Sequence, residues 1–193
     1  MRISRITRST VAAATLAALF ALSAPSNAGQ SKPPTLTEDL KQYHLRLHHL
    51  HTGESLDVIY RVGDTYIPEA LDRLNHFLRD HRTQDVSSYD PKEFDVLHAI
   101  MASLGRPDGI IDIVCGYRTP FSNALLRGGS ANSGVAEHSQ HMLAKAIDIR
   151  VPGISTVKLR DAALALHAGG VGFYPVSQFV HVDVGPVRTW SFR

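Results

Sequence analysis

The sequence predicts an α+β domain over residues 43–193, a small antiparallel sheet flanked by helices with a candidate site on the sheet face. Three observations predict it. Strand patterns lie at both ends of that region. Runs with helical spacing cluster between them. No internal repeat and no low-complexity segment interrupts the order.

Residues 43–49 alternate, with Tyr43, Leu45, Leu47 and His49 on one side and His44, Arg46 and His48 on the other. His51-Thr52-Gly53-Glu54 is a turn, and 56–62 is a second β-rich run, so the two form a hairpin. Pro68 and Glu69 open a helix whose apolar residues Leu71, Leu74, Phe77 and Leu78 carry it to Asp80. A second helix starts at Asp90-Pro91-Lys92-Glu93, with Asp90 as N-cap and Glu93 completing a capping box. Phe94, Leu97, Met101 and Leu104 form its apolar face. Residues 110–115 make a continuous apolar strand, expected to be central, and 121–126 a short helix. Residues 127–135, rich in Gly, Ser and Asn, read as a loop. A strand over 146–151, a helix over 155–167 and strands over 171–174 and 179–184 complete the chain.

The first 28 residues read as a secretory signal peptide. Arg2, Arg5 and Arg8 give a basic start, 11–22 is apolar, and Ser26-Asn27-Ala28 supplies small residues at a cleavage site. The apolar run is short for a bilayer core of about 30 Å, so no stable membrane insertion is expected after cleavage. Residues 29–42 read as a flexible lead-in, and the mature protein is expected in the periplasm or elsewhere in the cell envelope. The leader carries three arginines and no acid, so its removal takes the formal charge from +2 to −1. No basic cluster with interleaved aromatics remains, which argues against nucleic acid as a partner. Cys115 is the only cysteine, so no intrachain disulfide exists; its apolar strand marks it as a buried structural thiol.

The candidate site is His141, Asp148 and His181. Asp148 interrupts the apolar strand Ala146-Ile147-Asp148-Ile149, and His181 lies between Val180 and Val182. An Asp is almost never fully buried unless it is paired or bound to metal. Two imidazoles and one carboxylate suit a catalytic zinc that keeps a fourth position open. A buried Asp–His pair without metal is the alternative reading. Strand phase puts Asp183 on the His181 face, where a carboxylate can take a proton or orient a ligand imidazole.

These residues carry a resemblance. His141-x6-Asp148 followed by His181-x-Asp183 resembles the zinc signature of the peptidase M15 family of peptidoglycan peptidases, zinc enzymes that include D-alanyl-D-alanine carboxypeptidases and dipeptidases. The match is closest to a murein endopeptidase branch. It extends through Leu50-His51-Thr52-Gly53-Glu54-Ser55, Leu74-Asn75-His76-Phe77-Leu78-Arg79-Asp80, Gly116-Tyr117-Arg118 and Ala168-Gly169-Gly170-Val171-Gly172-Phe173-Tyr174-Pro175, and on to Gly185-Pro186 and Trp190. The resemblance implies zinc held by His141, Asp148 and His181, and Arg118 as the arginine that steadies a developing oxyanion. It implies cross-linked peptide stems of peptidoglycan as the partner, with links between two diaminopimelate residues as candidate bonds. Trimming of D-alanine ends, or a zinc-containing wall-binding domain without activity, are the alternatives.

The chain departs from the family pattern twice. Ala144 stands where glycine is common, at a backbone position that needs positive φ. Gln178 stands where several relatives carry an acidic general base. Asp183, and after it His138, are the candidates for that role here.

Overall fold

The computed structural model describes residues 40–129 and 134–192. The leader at 1–28 and nearly all of the lead-in lie outside the described residues.

The strands are β1 (Gln42–His49), β2 (Ser55–Val62), β3 (Thr65–Tyr66), β4 (Ile110–Cys115), β5 (Ala146–Arg150), β6 (Gly170–Tyr174), β7 (Phe179–Asp183) and β8 (Arg188–Ser191). They form one sheet in the order β3-β2-β1-β4-β5-β7-β6-β8. The expected β1–β2 hairpin is present, and β4 is central. The expectation of a small antiparallel sheet is corrected: the sheet has eight strands and is mixed. β1 pairs β4 in parallel, and β6 pairs β8 in parallel. The β1–β4 pair is parallel because helices in the intervening chain carry it back across the sheet. Strand patterns reveal which residues alternate and leave the partner open. The short strands β3 and β8 have too few residues to show a period.

Helix α1 (Pro68–Phe77) begins at its proline and ends before the expected Asp80. It stops because the chain turns there to aim Asp80 at another segment: Asp80 Oδ2 accepts from the Thr119 amide and hydroxyl, both at 2.8 Å. Helix α2 (Lys92–Ser103) follows Asp90, whose carboxylate accepts from the Lys92 amide at 3.1 Å. The expected capping box does not form. Glu93 is fully buried instead, and neither carboxyl oxygen has a partner among the described residues. Helix α3 (Pro120–Gly128) is capped by Thr119, which accepts from the Ser122 amide at 3.1 Å. It takes in Arg127 and Gly128, assigned above to a loop; 130–133 of that loop lie outside the described residues. Helix α4 (Thr156–Ala165) is capped by Ser155.

Leu45, Leu47, Val58, Tyr60, Ile111, Ile113, Ile147, Ile149, Val180 and Val182 cover one sheet face. They pack with Leu74, Phe77, Phe94, Leu97, Ile100, Met101 and Leu159 from α1, α2 and α4. Each such side chain fully buried stabilises by roughly 1.5–3 kcal/mol relative to exposure. Because strand residues alternate, Asp148 and His181 project from the opposite face. No helix among the described residues is long and apolar enough to cross a membrane.

Candidate metal centre

One row of cross-strand neighbours builds the site. Cys115 on β4 pairs with Asp148 on β5, Asp148 with His181 on β7, His181 with Gly172 on β6, and Gly172 with Trp190 on β8. A register shift between Ile113 and Cys115 lets Cys115 face Asp148 rather than the core. Gly172 leaves the room that the Trp190 indole occupies: a Cβ there would lie 2.6 Å from the ring.

His141 reaches the row from above. It sits in a single 3-10 turn, Gln140–Leu143, whose N-cap Ser139 accepts from the His141 amide at 3.3 Å. Ala144 closes that turn at φ 51°, ψ 46°, the left-handed conformation expected from its departure from glycine. Its methyl is held there at some cost, because a Cβ in this region meets the following carbonyl.

The donor atoms converge. His141 Nε2 lies 3.2 Å from Asp148 Oδ1, His181 Nδ1 lies 2.9 Å from it, and the two nitrogens are 3.1 Å apart. The far nitrogen of each ring is already used. His141 Nδ1 donates to Gly116 O at 2.8 Å, and His181 Nε2 donates to Asp183 Oδ2 at 2.9 Å. In those neutral tautomers both facing nitrogens are lone pairs, so three acceptors point at one spot. Donors around a tetrahedral zinc at about 2.0–2.1 Å stand about 3.3 Å apart, close to these separations. The residues therefore fit a divalent cation.

Cys115 belongs to the same neighbourhood. Its sulfur and donor atoms of His141 and Asp148 all lie within 4.8 Å of one another, all three residues being buried. The reading of Cys115 as a buried thiol is right about its burial and misses this proximity, which arises from the bulge. Burial pushes the thiol up, only partly offset by Arg118.

Charge around the site is arranged by burial and partners. Burial lowers His141, and Asp148 offsets this only in part. Burial alone would lower His181 too, but bonds to Asp148 and Asp183 hold it above the ordinary imidazole value. Burial would raise Asp148, yet the two imidazoles, His141 foremost, hold it far below the carboxylate range. Asp183 is likewise held low, by His181, Arg188 and the Gly185 amide against the effect of burial. It is also fully enclosed: its oxygens accept from Arg188 at 2.7 and 3.0 Å and from the Gly170 and Gly185 amides at 3.1 and 2.8 Å. Asp183 thus sits behind the His181 ring, away from the converging donors.

Arg118 donates from Nη1 to Asn123 at 3.1 Å and from Nη2 to Cys115 Sγ at 3.4 Å, with Asp148 Oδ2 at 3.8 Å. Its Nε–H has no partner among the described residues. The turn that carries it is pinned by the Tyr117 amide on Leu78 O at 2.8 Å and by Asp80 on Thr119. Gly116 permits this approach, since a Cβ would stand 2.5 Å from Leu78 O. His138 is exposed and lines the cleft that Arg118, His141, Asp148 and His181 share. Gln178 is elsewhere. It is exposed, accepts from Thr156 Oγ1 at 3.2 Å and donates to Pro175 O. Tyr174, Phe179, Trp190 and Phe192 also line the cleft, a role no local motif announces.

Fold and site are those of an α+β protein with a candidate metal centre at the floor of a cleft. The family described as peptidoglycan L,D-endopeptidase MepK, within peptidase M15, matches residues 37–190, and the chain belongs to it. It is 44% identical over 146 residues to the peptidoglycan L,D-endopeptidase MepK of Escherichia coli K12, covering 76% of this chain and 79% of that one. The Shigella flexneri protein of the same name gives the same figures. The probable peptidoglycan L,D-endopeptidase MepK of Haemophilus influenzae is 40% identical over 147 residues, 76% of this chain and 78% of that one. No solved structure matches this chain significantly.

Proposed function

We propose that this chain is an exported, zinc-dependent endopeptidase that hydrolyses peptide cross-links of peptidoglycan, the L,D type named for its relatives. The observation that carries the reading is the set of three acceptors converging within 3.2 Å with every outer ring nitrogen already bonded. With both facing nitrogens as lone pairs such a set repels itself, and a bound metal ion relieves that repulsion. His141, Asp148 and His181 hold that cation. Zinc, when bound, supplies Lewis acidity toward a carbonyl and toward water.

The chain's own residues supply the rest. Arg118, which lines the cleft, offers its guanidinium to the carbonyl oxygen as negative charge develops there. Water adds to the carbonyl carbon, the C–N bond breaks, and the amine leaves with a proton. His138, exposed in the cleft, takes the water's proton and returns it to the amine. Asp183 is a positioning residue: it fixes the His181 tautomer and ring. The basic, apolar leader at 1–28 supports export to the periplasm, where peptidoglycan lies.

The test is digestion of defined muropeptides by the mature protein, with and without a chelator. Chelator-sensitive conversion of L,D-linked dimers to monomers is expected. Release of D-alanine from monomers with dimers intact would replace this reading with a carboxypeptidase. Binding of peptidoglycan with zinc present and no product would replace it with a wall-binding domain.

A further inference from the structure

Tyr174 closes β6 and lines the same cleft as Arg118, His141, Asp148 and His181. Its ring stacks on Phe179, with centroids 4.3 Å apart and planes 16° apart. The Trp190 indole N–H donates to the Tyr174 oxygen at 3.0 Å. An indole nitrogen can only donate, so the phenol oxygen is the acceptor in this bond. The phenol's own proton is then free to serve another acceptor, and no described residue takes it.

The oxygen is also held in place. Trp190 sits in the space that Gly172 leaves, 5.1 Å from the His181 ring and under the Arg188 guanidinium at 4.9 Å. Two aromatic contacts and one directed hydrogen bond therefore fix where the hydroxyl stands relative to the metal ligands. Burial pushes the phenol above its ordinary value, so it remains a donor throughout the neutral range.

We infer that Tyr174 is a second hydrogen-bond donor to the substrate carbonyl oxygen, acting with Arg118. The inference rests on the hydrolytic reading above. A donor aimed at an oxygen that gains charge is worth more in the transition state than in the ground state. A hydroxyl already polarised by an indole donor gives up its proton more readily to that oxygen.

The test is Tyr174→Phe in the mature protein, which keeps the ring and its stack on Phe179. On L,D-linked dimers kcat is expected to fall about 100-fold, with KM within about twofold, as for loss of one oxyanion donor. Zinc content should stay at that of the parent. Trp190 is the only tryptophan, so its fluorescence reports ligand binding in the parent and in the variant alike. A phosphinate analogue of the cross-link should bind the variant about 100-fold more weakly, while an uncleaved monomer stem binds equally. Unchanged kcat, or equal weakening for phosphinate and stem, would overturn the role of Tyr174 alone. A parent protein inert on every dimer would overturn the hydrolytic reading and this inference with it.

Discussion

His141 and His181 each have two ring nitrogens, and in each the one facing away from Asp148 is engaged by Gly116 O or Asp183. That detail suits a metal centre, because in the neutral tautomers it leaves both facing nitrogens as lone pairs. A second donor set is also at hand, since Cys115 stands beside the same imidazole and carboxylate. Cys115 Sγ already meets the Arg118 guanidinium, while His181 Nδ1 points at Asp148 Oδ1 from 2.9 Å. Cys115→Ser should therefore keep one metal per chain, and the cobalt-substituted protein should lack a sulfur-to-metal absorption band. Loss of metal in that variant would put Cys115 in the coordination set. Asp183→Asn should weaken zinc binding about 10–100-fold, because the His181 ring loses its anchor. A competition titration against a chelator measures it, and unchanged affinity would remove Asp183 from the site. Asp148 and His181 are legible in the sequence because each interrupts an apolar strand. Tyr174, Trp190 and Cys115 are not, because what places them is cross-strand register, which has no local signature.

Elements show the same division. The hairpin of β1 and β2, the helices α1 to α4 and the strands β4 to β7 follow from periodicity and from helix starts such as Pro68. The edge strand β8 is only four residues long, and its value lies in Arg188 and Trp190, which brace Asp183 and Tyr174. Helix α2 is where a local rule misleads. The Asp90-x-x-Glu93 spacing reads as a capping box, yet tertiary packing buries Glu93 against the core. Burial, then the charges of Asp183, Asp90 and Asp148, push its carboxyl well above the ordinary value. A carboxyl raised in the folded state contributes its full stability below the unfolded value of 4.5 and loses it as pH rises above that. Glu93 should therefore contribute a loss of stability from pH 5 upward, at no more than about 1.4 kcal/mol per pH unit. Glu93→Gln should flatten that slope. Denaturant melts of both proteins at pH 5 and pH 8 compare them, and equal slopes would mean that Glu93 finds a partner in solution.

At the scale of the molecule, the sheet divides labour between its faces. One face carries the aliphatic core against α1, α2 and α4; the other carries a row of chemistry from Cys115 to Trp190. The three candidate ligands come from a 3-10 turn and two adjacent strands, so a cation bound there would tie 3 separate segments of the fold together. Zinc at 100 times its dissociation constant should stabilise by about 2.7 kcal/mol. For a domain of this size that corresponds to a rise in Tm of about 5–10 °C, reversed by a chelator. A Tm indifferent to both would contradict a preformed site. The antiparallel expectation failed at this scale for a physical reason: strand direction is set by how the intervening helices return the chain, which residue patterns do not record.

The most direct measurement pairs metal content with hydrolysis in His181→Ala, read on an L,D-linked dimer beside the parent protein. Metal and cleavage should disappear together while the fold persists. Cleavage retained by a variant that has lost its metal would contradict zinc dependence.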